Sequence, residues 1–249
     1  MSNPARKDLK LSTATATATT APDLTVPEIG GTHHFLLRRL HSLTGLVFGG
    51  YLIVHLLVNA TLAEGGRIFQ IQVDKIHSLP FLMVIEWLLI YIPILYHTIY
   101  GVWITATGQP NVAHYGYAKN WFYFFQRLSA IIIAAFMIFH ILGMKGVFGT
   151  GLEFVPEKYA LESVKWHFQR SWMVLYLIYP IGVVASCYHL ANGIWTAAIT
   201  WGLTISAQAQ RRWGFVCFGL FLLTLACGIL ALYGVMRINP VSSPPWLKG

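Results

Sequence analysis

The sequence predicts an all-α membrane protein whose chain crosses the bilayer five times. Of its 249 residues, 56% are apolar and only 10% are charged, whereas a soluble domain carries about 25% charged residues. Five apolar runs reach the length of about 20 residues that a helix needs to cross the hydrocarbon core. They cover roughly 36–60, 80–107, 124–148, 171–200 and 212–236.

The two ends of the chain differ in composition from the spans. Residues 1–32 include the Thr/Ala-rich stretch LSTATATATTAP, which has no apolar surface to bury and is expected to be a disordered tail. Residues 238–249, INPVSSPPWLKG, are expected to form an irregular C-terminal tail. Between them, residues 33–237 form one membrane domain, and its first four spans are expected to pack as a four-helix bundle.

Charge and cysteine content exclude two classes of function. The formal net charge is +8, but no basic face interleaved with aromatic residues lies outside the spans, so nucleic-acid binding is not expected. Cys187, Cys217 and Cys227 all lie in apolar runs and form neither CxxC nor CxxCH. They therefore indicate neither a zinc site nor covalent haem attachment, and we interpret them as small buried apolar residues.

The orientation of the chain follows only weakly from its basic residues. Alternate loops divide the 17 Lys and Arg residues almost equally between the two sides of the membrane. The adjacent Arg211 and Arg212, in a short connection with no acid nearby, favour a cytoplasmic side for that connection and for the N-terminus.

Each of the first four spans contains one histidine within its apolar run: His55, His97, His140 and His189. A polar side chain inside a span is costly and usually faces the bundle interior with a partner. One such histidine would most simply be a core residue with a hydrogen bond. Four of them on four consecutive spans indicate a shared role.

Depth sorts the four histidines into two pairs. With a rise of 1.5 Å per residue, His55 and His140 lie near the outer ends of spans 1 and 3, and His97 and His189 lie deeper, toward the cytoplasm. Flipping the protein would exchange the two layers but keep the pairs. Two pairs of imidazoles on facing helices fit two haem b groups, because the iron takes a neutral imidazole on each face of the macrocycle.

Haem propionates need cationic or hydrogen-bonding partners near the membrane surface, and three stretches could supply them. RRLHSLTG offers Arg39, His41 and Ser42, span 3 begins with Gln126 and Arg127, and HFQRSW offers His167, Gln169 and Arg170. Interfacial anchoring is the alternative role for each arginine. Small surfaces beside the proposed ligands come from glycines, for which helix packing is the alternative role: Gly45, Gly49, Gly50, Gly101 and Gly193.

One acid, Glu86, lies within a span. It precedes His97 by 11 positions, which on a regular helix gives both the same facing and puts Glu86 at the level of the outer histidines. We expect it to act as a proton acceptor beside a quinol, with hydrogen bonding to Trp or Tyr as the alternative. Pro93 predicts a kink in this span. Ser186 and Asn192 are expected to bond the free ring nitrogen of His189.

Several motifs, taken in order, resemble the cytochrome b558 anchor subunits of succinate dehydrogenase, in particular the five-helix, di-haem type coupled to menaquinone. They extend over about residues 33–236. The motifs are RRLHSLTG, VHLLVN, SLPF, EWLLIYIPILYHTIYGVWI, NWFYFFQR, a following FH, and YHLANGIWTAAITWGLT.

The resemblance implies that His55 with His140, and His97 with His189, ligate two haem b groups. It implies a flavoprotein and an iron–sulfur protein as cytoplasmic partners, and the motifs for their cofactors do not occur in this chain. This subunit would then have no succinate-oxidising activity of its own. It implies a bacterial cytoplasmic membrane, a cytoplasmic N-terminus, and a menaquinone site with an acid near the outer haem. Glu86, Asp74 and Glu64 are the candidates for that acid, and depth favours Glu86.

Other functions stay open at this point. The same architecture serves fumarate reductase, and nothing in the sequence decides the direction of the reaction. A cytochrome b of another membrane dehydrogenase, a transporter with a His/Glu proton relay and a haem-free anchor are further alternatives.

Overall fold

The computed structural model describes residues 32–108, 112–147, 153–242 and 245–247. Within these residues the protein is helical and contains no strand. Five segments are long and apolar enough to cross a membrane, which confirms the predicted architecture. They are His33–Ala63, Leu82–Thr107, Ala118–Met144, Val174–Thr200 and Ala207–Arg237.

Within the described residues, eight α-helices build these spans and their connections. Two of them, the short helices α2 and α6, lie between spans, where the sequence pattern predicted only plain connections. The bounds are α1 Thr32–Ala60, α2 Gly66–His77, α3 Leu82–Glu86, α4 Ile92–Thr107, α5 Ala118–Met144, α6 Ala160–Gln169, α7 Tyr179–Thr200 and α8 Ala207–Arg237.

The third span begins and ends earlier than expected. Helix α5 begins at Ala118 and ends at Met144, whereas the apolar run suggested residues 124–148. The aromatic segment that precedes residue 124 continues the helix because aromatic side chains suit the membrane interface. At the other end Gly146 adopts φ +74°, a left-handed conformation that terminates a helix.

Two spans contain a π-helical turn directly before a proline. Trp87–Tyr91 precedes α4, whose second residue is Pro93, and Val174–Ile178 precedes α7, whose second residue is Pro180. Proline lacks a backbone N–H and its ring crowds the preceding turn, and a widened turn accommodates both effects. The irregularity expected at Pro93 is therefore present as a π turn, and Pro180 produces a second one that the sequence analysis missed.

Four of the spans close into a ring. Helix α1 contacts α4 and α7, and α5 contacts the same two helices. Helix α8 lies outside this ring against α1 and α7, and Leu56, Cys187 and Cys227 are buried together. We call the side where α1 begins the near side and the side where it ends the far side. The short helices α2 and α6 lie on the far side, where they contact each other.

The outer surface of the bundle is apolar. Many large apolar side chains are exposed on this surface, and those that are more than half exposed include Leu88, Ile99, Ile138 and Phe215. An apolar surface of this extent is stable only against lipid.

The C-terminal segment folds back on α6. The side-chain amide of Gln169 exchanges two hydrogen bonds with the backbone of Val241. Residues 238–242 are not helical, and Pro245–Leu247 forms one 3₁₀ turn. The expected N-terminal tail, apart from Thr32, lies outside the described residues.

Candidate functional site

The bundle brings the four span histidines together in two pairs. The rings of His55 and His140 form the far pair, with centroids 5.9 Å apart and planes at 80°. The rings of His97 and His189 form the near pair, with centroids 6.1 Å apart and planes at 89°. The pairing is the one that the depth argument predicted.

The spacing within each pair suits one metal ion between two imidazoles. A bond from a metal to an imidazole nitrogen is about 2 Å long, which puts the centroids of two rings on opposite sides of the metal about 6 Å apart. No group of three or more His, Cys, Asp or Glu residues that could hold a metal occurs among the described residues. Two protein ligands per site match haem, whose macrocycle supplies the equatorial ligands.

Tyrosines support the far pair. The Nδ1 atom of His140 lies 2.9 Å from the hydroxyl of Tyr179. The Nδ1 atom of His55 lies 3.3 Å from the hydroxyl of Tyr51, one helical turn earlier on α1. Neither tyrosine was singled out from the sequence, although the spacing of four residues between Tyr51 and His55 could have indicated the contact.

Backbone carbonyls support the near pair. The Nδ1 atom of His97 lies 3.0 Å from the carbonyl oxygen of His41. The Nδ1 atom of His189 lies 3.2 Å from the carbonyl oxygen of Gln126 and 3.2 Å from the hydroxyl of Ser129.

The expected partners of His189, Ser186 and Asn192, were therefore wrong. The contacts come from α5 instead, because α5 and α7 pack side by side. Asn192 donates its hydrogen bond to the side chain of Gln126, at 2.7 Å.

All four histidines thus use the same nitrogen for support. A hydrogen bond at Nδ1 fixes the tautomer and the ring orientation and leaves Nε2 as the free ligand atom, as is usual for histidines that bind metals. The residues present therefore fit bis-histidine ligation in both pairs.

Glycines shape the near pair more than the far pair. A Cβ atom on Gly45 would overlap the ring of His97, and one on Gly101 would lie 3.2 Å from the ring of His41. Gly49 faces Leu190 and Gly193 faces Gln126, whereas a Cβ on Gly50 would meet nothing within 4 Å. Of the five glycines, Gly45 and Gly101 make room for imidazoles.

Among the described residues, three buried polar atoms that have no hydrogen-bond partner belong to residues around the near pair. The ring of His41 stacks on that of His97, with centroids 4.0 Å apart and planes at 10°. Its Nδ1 atom, the Tyr100 hydroxyl and one guanidinium nitrogen of Arg127 are buried without hydrogen-bond partners. Orphaned donors of this kind are rare in proteins, and their chemistry suits an anionic group such as a propionate.

Three other candidate propionate partners are already engaged. The guanidinium of Arg39 lies 4.9 Å from the ring centres of Phe35 and Trp201. Ser42 accepts a 3.0 Å hydrogen bond from the Trp201 indole. On the far side, Arg170 is exposed and lies 5.9 Å from the ring centre of Trp166.

The three candidate acids occupy different environments. Glu86 is half-buried in its span and lies close enough to Tyr51 to interact electrostatically with it. Asp74 is exposed on α2 and accepts a 2.8 Å hydrogen bond from Gln70. Glu64 is exposed at the start of the same connection. The π turn Trp87–Tyr91 lies between Glu86 and His97, so the helix that joins them is not the regular one from which their shared facing was predicted.

A second buried cluster lies where α6 meets the far pair. His167 and Lys165 are only 4% and 8% exposed. Burial lowers the pKa of His167 to about 4 and also lowers the pKa of Lys165. The Lys165 ammonium donates a 3.1 Å hydrogen bond to the carbonyl oxygen of Val235, which ties α6 to the end of α8.

A shallow groove of about 510 Å³ lies on α4 and is lined by residues that include Tyr96, Tyr100 and Trp103. None of the four histidines lines it. Most of its walls belong to the apolar outer surface of the bundle, and Tyr100, whose ring contacts His41, also lines it.

Two comparisons with known proteins bear on this site. No family model matches the chain. It is similar to the succinate dehydrogenase cytochrome b558 subunit of Bacillus subtilis (strain 168), with 32% identity over 208 residues. That alignment includes 82% of this chain and 98% of the relative, so the similarity extends over most of the chain and is not confined to one motif.

Proposed function

Since the chain belongs to the family of succinate dehydrogenase cytochrome b558 subunits, we propose that it is a di-haem membrane anchor that passes electrons to menaquinone. The electrons come from succinate through a flavoprotein and an iron–sulfur partner. Succinate oxidation itself takes place in those partners. The chain is a multi-pass membrane protein, and we assign it to a bacterial cytoplasmic membrane with its N-terminus in the cytoplasm.

One observation carries the proposal: two imidazole pairs, spaced for one metal each, follow one another across the membrane. Bound there, two haem b groups would accept and release single electrons and so link the near side to the far side. Each iron would be held through the Nε2 atoms of the two histidines in its pair.

The near side fits the cytoplasmic surface under this proposal. His41, Tyr100 and Arg127 would donate hydrogen bonds to the propionates of the near haem, because each has a buried nitrogen or oxygen atom without a hydrogen-bond partner. Arg39 and Ser42 extend this polar rim at the start of α1. Arg170 would serve the far haem from the opposite surface.

Menaquinone would be reduced near the far pair. Glu86 is the acid we favour there, because it is half-buried and interacts with Tyr51, which in turn contacts His55. Its carboxyl group would exchange protons with the quinone as electrons arrive. Asp74 is the second candidate, although its exposed position outside the spans suits it less.

A dithionite-reduced minus oxidised spectrum of the purified chain, with haem content per polypeptide, tests the proposal. Two b-type haems per chain are expected, together with co-purification of a flavoprotein and an iron–sulfur protein. A well-folded chain without haem would overturn the proposal. Two haems with a different dehydrogenase partner would retain the cofactors and reject the succinate assignment.

A further inference from the structure

A chain of hydrogen bonds connects the far pair to a helix outside the membrane spans. The Tyr179 hydroxyl lies 2.9 Å from Nδ1 of His140 and 3.1 Å from Nε2 of His167. Tyr179 and His167 are 6% and 4% exposed, so water does not compete for these bonds. The three side chains come from α5, α7 and α6, and only the tertiary structure brings them together.

Ligation of iron by His140 would determine the direction of both hydrogen bonds in the series His140–Tyr179–His167. If Nε2 of His140 binds iron, its Nδ1 carries a hydrogen and donates it to the Tyr179 oxygen. The Tyr179 hydroxyl is then free to donate to Nε2 of His167. The proton of a neutral His167 must then lie on Nδ1, and burial keeps this ring neutral by lowering its pKa to about 4.

The surroundings hold the chain in place. Tyr179 follows the π turn Val174–Ile178 directly, and the ring of Phe168 packs 4.3 Å from its own. Gly143 leaves space for His167, because a Cβ atom there would lie 2.7 Å from its ring. The geometry is therefore built by residues of three helices, α5, α6 and α7, and does not depend on one flexible side chain.

We propose that Tyr179 and His167 are positioning residues that set the electron density on His140 and thereby the reduction potential of the far haem. This inference rests on the proposed function, since it takes His140 to be an iron ligand. An acceptor at Nδ1 makes an imidazole a stronger ligand, which favours ferric iron and lowers the potential. A phenol that itself donates to His167 is a better acceptor than an isolated phenol, because hydrogen bonds in series polarise one another.

The test measures the midpoint potentials of both haems by optical redox titration of the intact complex. Tyr179→Phe removes the acceptor and should raise the far-haem potential while the near-haem potential stays unchanged. His167→Phe should raise it by a smaller amount, because the tyrosine remains. His167→Gln, whose amide oxygen can accept the tyrosine hydrogen, should restore most of the wild-type value.

Tyr176→Phe serves as the matched control. Tyr176 lies one turn before Tyr179 and is 61% exposed, so the same chemical change there should leave both potentials unaltered. If the role of Tyr179 were purely structural, the far-haem potential would change equally in Tyr179→Phe and Tyr176→Phe, or the haem content would fall without a change in potential.

Haem content separates the failure of this inference from the failure of the proposed function. Two haems per chain with an unchanged far-haem potential in Tyr179→Phe would overturn only the proposed role of Tyr179 and His167. No haem in the wild-type chain, or two haems retained after His140→Ala, would overturn the assignment of His140 as an iron ligand, on which the inference depends.

Discussion

The two histidine pairs have the same spacing but different support. The near pair is held by carbonyl oxygens of His41 and Gln126, whereas the far pair is held by the hydroxyls of Tyr51 and Tyr179. A backbone acceptor survives any side-chain substitution, but a phenol can be removed by mutation to phenylalanine. The near histidines are thus held by backbone oxygens, whereas the hydrogen bonds that hold the far histidines can be removed by substituting two tyrosines.

Removing one ligand from each pair gives the largest expected effect. His97→Ala should lose only the near haem and His55→Ala only the far haem, because each iron needs both of its imidazoles. Haem per polypeptide, measured as the pyridine haemochrome, should fall from two to about one in both variants. His114→Ala is the control, since His114 is exposed in a connection; two haems retained after His97→Ala would contradict the assignment.

A smaller but still severe change is expected at Gly45. The methyl group in Gly45→Ala would overlap the ring of His97, and overpacking of this kind costs about 1–3 kcal/mol. We expect reduced occupancy of the near haem with the far haem intact. Gly50→Ala is the matched control on the same helix, because a methyl group there meets nothing within 4 Å. Equal haem loss in both variants would show that helix packing, not space for His97, is responsible.

Acidification should weaken the far side through His167. Its pKa is about 4 in the folded protein against an ordinary 6.5, so the unfolded chain takes up a proton first as the pH falls. The stability that this group contributes is complete above pH 6.5 and is lost progressively as the pH falls toward 4. At pH 5 the loss in the free energy of unfolding is about 2 kcal/mol. Between pH 7 and pH 5, the midpoint temperature of thermal unfolding should fall further in the wild type than in His167→Gln. Identical drops would contradict this role.

The smallest effect is expected at Ser129. In Ser129→Ala the carbonyl of Gln126 still accepts from His189 at 3.2 Å, so the near-haem potential should rise only slightly. The rise should be smaller than that of the far haem in Tyr179→Phe, measured in the same redox titrations. A shift as large as in Tyr179→Phe would mean that the hydroxyl, not the backbone, is the main partner of His189.

Much of the fold could be predicted because lipid imposes strict requirements on a spanning helix. Five apolar runs and the depth of each histidine follow from length and rise per residue alone. Helices α2 and α6 were missed because they are short and lie between spans, where no length requirement applies. The π turns before Pro93 and Pro180 were missed as such because a proline in sequence indicates a disturbance but not how the helix absorbs it.

The supporting contacts were the least predictable part of the candidate site. Tyr51 lies one turn from His55 on the same helix and could have been found from spacing. Tyr179, Ser129 and the carbonyl of Gln126 reach their histidines from other helices, and the choice of Ser186 and Asn192 failed for that reason. Contacts between helices depend on rotation and lateral packing, which a single helical period does not specify.

The sequence by itself determined that this protein is a five-span membrane protein with two layers of histidine, because hydropathy and helical rise act locally along the chain. The tertiary structure alone decided which atoms hold three of the four imidazoles, those of His97, His140 and His189, since these atoms come from other helices. It also decided that His167, far from any span histidine in sequence, reaches His140 through Tyr179. Packing of α6 against the bundle creates that connection, and no local pattern encodes it.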